Sequence, residues 1–189
     1  MNKRHLEGCA SEEWASVVRE HIIPGLLKDV VLGDDVLEVG PGPGRTTEIL
    51  KEMAAQITAV ELDVDLAAQL TARMAGTNVT VVNADATDMP FDCGRFDTAL
   101  SFTMLHHVPS PELQDQLMAE VARVLRPGGT FLGVDSLDSP AFREVHEDDI
   151  CVIVPPDELP ARLERAGFTD VSVSLNPYQF SFRATKPAS

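Results

Sequence analysis

The chain has 189 residues, of which 44% are hydrophobic and 24% charged, and its formal net charge is −15. This length and composition predict one globular domain, 1–189, and no apolar run approaches the roughly 20 residues that a membrane span needs. The negative charge disfavours nucleic acid and anionic membrane surfaces as partners, and the polar start of the chain lacks a signal-peptide core, so the cytoplasm is the expected location.

Helix and strand signals alternate along the chain, which is the pattern of an α/β fold. Ser11 is the expected N-cap of an amphipathic helix that runs to Lys28. The elements expected after it are a strand at 36–39, a helix at 45–53, a strand at 56–61, a helix at 65–74, strands at 78–83 and 96–102, a helix at 111–125 ended by a turn at 126–129, a strand at 130–134, a mixed acidic segment at 136–156 with a short extended piece at 151–154, a helix at 156–166, and a closing antiparallel pair at 171–175 and 179–184.

The first strand leads into the most informative run of the sequence. Glu38 is followed by three glycines at alternate positions, Gly40, Gly42 and Gly44. Such a strand-to-helix turn lets a ligand approach bare backbone and meet free amide donors. The dinucleotide pattern G-x-G-x-x-G does not fit, because Arg45 or Thr47 stands where its third glycine is required.

Further motifs follow in a fixed order. They are VELD at 60–63, ADA at 84–86, MPF at 89–91, LHH at 105–107, LRPGG at 125–129 and LERAGF at 163–168. Together with the glycine turn, this order resembles the class I S-adenosylmethionine-dependent methyltransferases, in particular the branch akin to ubiquinone- and menaquinone-biosynthesis enzymes, over roughly residues 30 to 185. The resemblance implies a Rossmann-like, doubly wound, seven-stranded sheet with the last strand antiparallel, whose ligands lie outside the carboxyl ends of the strands.

The resemblance also implies roles for individual residues in binding S-adenosylmethionine. The three glycines would lie along the cofactor, and Glu38 would help to fix its methionine amino end. Glu61, beside Leu62, would accept hydrogen bonds from the ribose hydroxyls. Asp85 and Ala86 are expected at the adenine. Ser101 and Phe102 are expected at the methionine part and its donor methyl.

By the same resemblance, residues 1–30 form an amino-terminal helix, 36–135 the cofactor-binding half and 136–189 the acceptor side with the closing strands. We expect the acceptor pocket to be open, and covered by the amino-terminal helix, residues 136–156 or a second subunit. The chain is expected to be a monomer or a homodimer that acts on a small-molecule acceptor.

Two histidines, His106 and His107, follow the fourth strand, near the expected donor methyl. A methyl group on a sulfonium is already activated, so a base is needed only when the acceptor must lose a proton. One hypothesis is that a histidine of this pair acts as that base or orients the acceptor. The alternative is that both pack and form hydrogen bonds within the loop.

The acidic segment after the fifth strand is a candidate metal site. It contains Glu144, His146, Glu147, Asp148 and Asp149, and carboxylate oxygens suit Mg²⁺. The spacing matches no known metal motif, so a solvated loop is favoured and no metal is expected. Three isolated cysteines do not form a zinc motif either, and Tyr178 is a weak candidate for acceptor contact.

The sequence therefore favours a small-molecule methyltransferase. One alternative is a protein that binds S-adenosylmethionine without catalysis. The other is a nicotinamide-dependent oxidoreductase on a similar fold, which the glycine spacing disfavours.

Overall fold

A parallel sheet with one reversed strand forms the centre of the protein. The computed structural model describes residues 2–188, so Met1 and Ser189, the ends of the expected domain, lie outside the described residues. Within residues 2–188 the strands are β1 (Asp35–Val39), β2 (Gln56–Glu61), β3 (Val79–Asn83), β4 (Phe96–Phe102), β5 (Leu125–Ser136), β6 (Thr169–Leu175) and β7 (Gln179–Thr185). Their order in the sheet is β3-β2-β1-β4-β5-β7-β6.

The helices connect these strands along both faces. In the same range they are α1 (Lys3–Cys9), α2 (Glu12–Val17), a π-helical turn (Val18–Ile22), α3 (Ile23–Leu26), α4 (Arg45–Leu50), α5 (Val64–Arg73), a 3₁₀ turn (Leu105–His107), α6 (Pro111–Val124), α7 (Pro140–Val145) and α8 (Leu159–Arg165). No helix among residues 2–188 combines the length and the apolarity that crossing a bilayer requires.

The strand pairing confirms the predicted fold class. β1 pairs in parallel with both β2 and β4, whereas β7 runs antiparallel to both β5 and β6. The chain moves outward from β1 to β3 and then returns to β4 on the other side of β1. The carboxyl ends of β1 and β4 therefore flank the crevice in which ligands of doubly wound sheets bind.

The central strands are apolar because helices cover both of their faces. In β1, Leu37 and Val39 join a core cluster that includes residues of α6 and α8. Val36, on the opposite face, packs in a second cluster with residues of the π-helical turn, α3 and α4. Alternate side chains of one strand thus hold two helical layers against the sheet.

Several local expectations were wrong. β5 starts at Leu125, which pairs with Phe96, rather than at 130, and Gly128 N–H bonds to Lys186 O at 2.9 Å, so residues 126–129 extend the sheet. Residues 151–154 form no strand: Val152 N–H instead donates to His106 O at 2.7 Å. Helices α1 and α7 were not predicted, although Ser139 and Pro140 begin α7 in the way expected of a cap and a first-turn proline.

Candidate functional site

The turn after β1 is built from glycines with positive φ. The φ angles of Gly40, Gly42 and Gly44 are 65°, 53° and 80°, a region in which other residues are strained. A Cβ on Gly40 would lie 2.2 Å from Met104 Cγ, and one on Gly44 would lie 2.3 Å from Leu70 Cδ1. The sequence uses glycine here because the turn both reverses the backbone and packs closely on its neighbours.

Glu61, at the end of β2, fixes this turn from the side. Its Oε2 accepts a hydrogen bond from Gly42 N–H at 2.9 Å, and its Oε1 accepts one from Asp63 N–H at 2.9 Å. Each carboxylate oxygen retains a second lone pair for a further donor. Glu61 lines the cavity described below, so these lone pairs are available to a pair of ligand hydroxyls.

Glu38 lies behind the turn rather than in the cavity. Its carboxyl is buried and accepts hydrogen bonds from the hydroxyls of Thr46 and of Thr47, the latter at 2.6 Å. Burial raises the pKa of Glu38 to about 7, and the two threonine hydroxyls oppose that rise. In this structure Glu38 anchors the start of α4, and its expected contact with the cofactor's amino group remains a prediction.

The remaining predicted cofactor residues divide between the cavity and the core. Leu62, Asp85, Ala86 and Phe102 line the cavity together with Gly40 and Gly42, whereas Gly44 and Ser101 do not. Asp85 Oδ1 accepts from the backbone N–H and hydroxyl of Thr87, both at 2.8 Å. Ser101 is buried, and its Oγ has no hydrogen-bond partner among the described residues.

The cavity has a volume of about 680 Å³. It extends from the glycine turn to a more apolar region formed by Met104, Val108 and Leu113. Leu6 and Cys9 of α1 and Ile150 of the acidic segment contribute to its wall. Both expected covering segments therefore take part. Burial raises the pKa of Cys9 to about 11, so its thiol is protonated at neutral pH.

The two predicted catalytic histidines differ in position. His107 lines the cavity, whereas His106 does not. His106 is buried, with Nδ1 2.5 Å from Asp135 Oδ1. Burial, followed by the neighbouring His106 and His5, lowers the pKa of His107 to about 3, so its imidazole is neutral at physiological pH.

Two further histidines meet this pair, one of which the sequence analysis did not single out. His5, from α1, lies with its ring centroid 4.9 Å from that of His107, and burial lowers its pKa to about 4. His146 Nε2 lies 3.1 Å from His106 Nε2. No local sequence signal marks His5, because it joins the others only through the packing of α1.

Of the other candidates in the acidic segment and the closing hairpin, Asp149 alone lines the cavity. Glu144 is exposed and faces Arg4 at 3.4 Å, and Tyr178 is 82% exposed. Asp149 lines the cavity and lies 3.5 Å from His5 Nδ1. Glu144, Glu147, Asp148 and Tyr178 are not among the residues that line the cavity.

Comparison with known proteins identifies the kind of protein that has this site. A family profile described as a methyltransferase domain matches residues 37–133, which is about half of the chain. The O-methyltransferase cnsE of Penicillium expansum is 29% identical, with 90% of this chain and 67% of the relative covered. A demethylmenaquinone methyltransferase of Clavibacter sepedonicus is 33% identical, over 54% of this chain and 41% of the relative.

One relative acts on a different class of substrate. A ribosomal RNA small subunit methyltransferase A of Mycobacterium is 38% identical over 54% of this chain and 42% of the relative. The chain thus spans between about two fifths and two thirds of the length of these curated relatives. A crystal structure of an S-adenosylmethionine-dependent methyltransferase from Aquifex aeolicus superposes with a TM-score of 0.77 at 18% identity, covering 98% of both chains.

Proposed function

The chain belongs to the class I S-adenosylmethionine-dependent methyltransferases, and on that premise we propose that it transfers the donor methyl group to an apolar small-molecule acceptor. The observation that carries the acceptor class is the apolar part of the cavity, formed by Met104, Val108 and Leu113. The whole cavity, which would hold both cofactor and acceptor, has a volume of about 680 Å³, within the roughly 300–1,000 Å³ of small-ligand sites. The same cavity contains the glycine turn at one end and an apolar region at the other.

The donors and acceptors along the turn support a proposed place for the cofactor. Glu61 offers two oxygens to the ribose hydroxyls, and Asp85 offers Oδ2 to the adenine amino group. Gly40 and Gly42 leave the backbone open beside the methionine part. The methyl group would then point away from the turn, toward Met104 and His107.

The proposed chemistry relies on positioning. The acceptor atom attacks the methyl carbon in line, the carbon–sulfur bond breaks, and its electron pair remains on sulfur, so S-adenosylhomocysteine leaves as a neutral thioether. Holding the two reactants in this arrangement supplies about 7–11 kcal/mol of the barrier. A base works best with a pKa near the operating pH, and the pKa of His107 is lowered to about 3. We therefore do not assign proton removal to His107, which lines the cavity.

An RNA acceptor is the second candidate, because one relative methylates ribosomal RNA by its name. Two features argue against it. The net charge is −15, and Leu6 and Cys9 of α1 form part of the wall of the cavity. A nucleic-acid strand would be repelled by the negative charge of the protein, and its base would have to enter the cavity beside α1.

The test is a transfer assay with methyl-labelled S-adenosylmethionine, supplied either with a small-molecule extract or with total RNA of the host. We expect label in low-mass products only. Glu61→Gln replaces one accepting carboxylate oxygen by an amide NH₂ group, which can only donate. We therefore expect cofactor affinity to fall about ten-fold or more. Glu164→Gln, on the exposed side of α8, is the matched control. Label in RNA alone would overturn the proposed acceptor class.

A further inference from the structure

Four of the five histidines of the chain meet beside the cavity. His5 belongs to α1, His106 and His107 to the 3₁₀ turn after β4, and His146 follows α7. One ring nitrogen from each lies within 4.8 Å of the others. Three segments that are distant in sequence thus bring their imidazoles to one point.

Hydrogen bonds orient three of these rings. The Nδ1 atoms of His106, His107 and His146 face, respectively, Asp135 Oδ1 at 2.5 Å, Ile150 O at 3.1 Å and Phe142 O at 2.7 Å. Oxygen only accepts in these contacts, so each Nδ1 carries the hydrogen. In a neutral ring the Nε2 atom then has a bare lone pair, which is the form in which histidine binds a metal.

The central contact requires a positive species between two such lone pairs. His106 Nε2 and His146 Nε2 lie 3.1 Å apart, and two bare lone pairs at this distance repel each other. A shared proton would satisfy this pair alone. A metal ion would also use His5 and His107, and the carboxylates of Asp135 and Asp149 lie near enough to His106 and His5 to balance its charge.

We propose that His5, His106, His107 and His146 bind one divalent transition-metal ion, for which Zn²⁺ is the best match. Zinc–nitrogen distances of about 2.0–2.1 Å in a tetrahedron imply nitrogens about 3.3 Å apart, close to the 3.1 Å of His106 and His146. The ligand nitrogens lie within 4.8 Å of one another, so the longest separation would have to shorten by about 1.5 Å when a zinc ion binds. Mg²⁺ prefers oxygen ligands and does not match four imidazoles.

The metal would fasten α1 across the cavity. Polar contacts also join the amino-terminal segment to the acidic segment: Asn2 N–H donates to Asp149 Oδ2 at 2.8 Å, Asn2 Nδ2 donates to Val145 O at 2.8 Å and to Glu147 O at 3.0 Å, and the Arg4–Glu144 pair is exposed. A bond from His5 to a metal that His106, His107 and His146 also hold would fasten α1, with its cavity-lining residues Leu6 and Cys9, to the segments that follow β4 and α7. Metal occupancy would therefore set how closed the cavity is.

The test uses the full chain after treatment with a chelator. Isothermal titration with Zn²⁺ should give one ion per chain, and Co²⁺ should give the intense visible bands of a tetrahedral site. His5→Ala and His146→Ala should each weaken Zn²⁺ binding by at least about ten-fold. His21→Ala, which removes the exposed fifth histidine, should leave binding unchanged. Hydrogen exchange of α1 should slow when Zn²⁺ is added to the wild type but not to His5→Ala.

Three results would overturn the proposal: no saturable Zn²⁺ binding by the wild type, equal binding by the wild type and by folded His5→Ala, or equal losses in His5→Ala and His21→Ala. The His5 side chain is only 11% exposed, so circular dichroism is needed to establish that the variants are folded. None of these measurements uses methyl transfer, so the metal site and the proposed acceptor class can fail independently.

Discussion

At the scale of single residues, the carboxyl of Glu38 ties the stability of the protein to pH. Burial raises its pKa from 4.5 to about 7, against the hydrogen bonds from Thr46 and Thr47. Because the folded-state pKa lies above the unfolded value, folding favours the protonated form. The stabilising contribution is fully present below about pH 4.5 and is lost as the pH rises through about 7.

Replacing this group should remove that part of the pH dependence. Between pH 4.5 and 8 the pKa shift corresponds to about 3 kcal/mol in the free energy of unfolding. We expect the free energy of unfolding of Glu38→Gln not to show this decline. As the pH rises, the variant should therefore gain stability relative to the wild type. Urea unfolding of the cofactor-free protein at several pH values measures it. Glu164→Gln should follow the wild type, and parallel curves for wild type and Glu38→Gln would contradict the prediction.

At the scale of elements, β5 is the most constrained strand, because it joins the parallel part of the sheet to β7. Gly133 pairs with Ser101 of β4 and with Phe182 of β7. A Cβ at this position would lie 2.4 Å from the Phe182 ring and 2.9 Å from Ser101 O. The ring cannot retreat freely, because it packs edge-on against Phe131 at 4.9 Å.

We therefore expect Gly133→Ala to destabilise the protein by about 1–3 kcal/mol through overpacking. Gly25→Ala is the matched control, since Gly25 lies in α3 with nothing within 4 Å of its added Cβ. Its expected effect is a gain of about 0.4–1 kcal/mol. Thermal and denaturant unfolding of both variants measure these changes in stability. Equal stabilities of the two variants would show that the sheet adapts to the extra methyl group.

How much of the fold the sequence predicts depends on how local each signal is. The strands at 56–61 and 96–102 were predicted with their observed bounds, because strands buried on both faces are continuous apolar runs. The start of β5 was not predicted, because the pairing of Leu125 with Phe96 overrides the tendency of Pro127, Gly128 and Gly129 to form a turn. α1 was missed although Asn2 caps it; several of its contacts are with distant segments, such as that of His5 with Asp149.

The candidate site shows the same division. The glycine turn, Glu61 and Asp85 follow strands directly, so their spacing alone predicts that they meet at one edge of the sheet. The direction of a side chain is less local: Glu38 turns toward Thr46 and Thr47 and away from the cavity. The histidine cluster joins three segments, and only two of its members, His106 and His107, are neighbours in sequence.

At the scale of the whole molecule, negative charge dominates the surface. The chain has 30 acidic and 15 basic residues, and most arginines are already paired with carboxylates. Such pairs are Arg45 with Glu12, Arg95 with Asp35, Arg126 with Asp97, Arg143 with Asp138, and Arg162 with Asp115. Few cations therefore remain to replace the counterions of a nucleic-acid backbone, which supply most of the free energy of non-specific binding.

This balance predicts that the protein does not bind RNA even at low salt. Proteins with a cationic surface bind nucleic acid non-specifically with Kd values of about 10⁻⁴–10⁻⁶ M at physiological salt, and more tightly as salt is removed. We expect no saturable change in the anisotropy of a fluorescent ribosomal RNA hairpin at low or physiological ionic strength. The same field attracts S-adenosylmethionine through its sulfonium charge, so a cofactor titration in the same buffers is the positive control. Saturable RNA binding that weakens with added salt would reveal a local cationic surface and would favour the RNA acceptor over the small molecule.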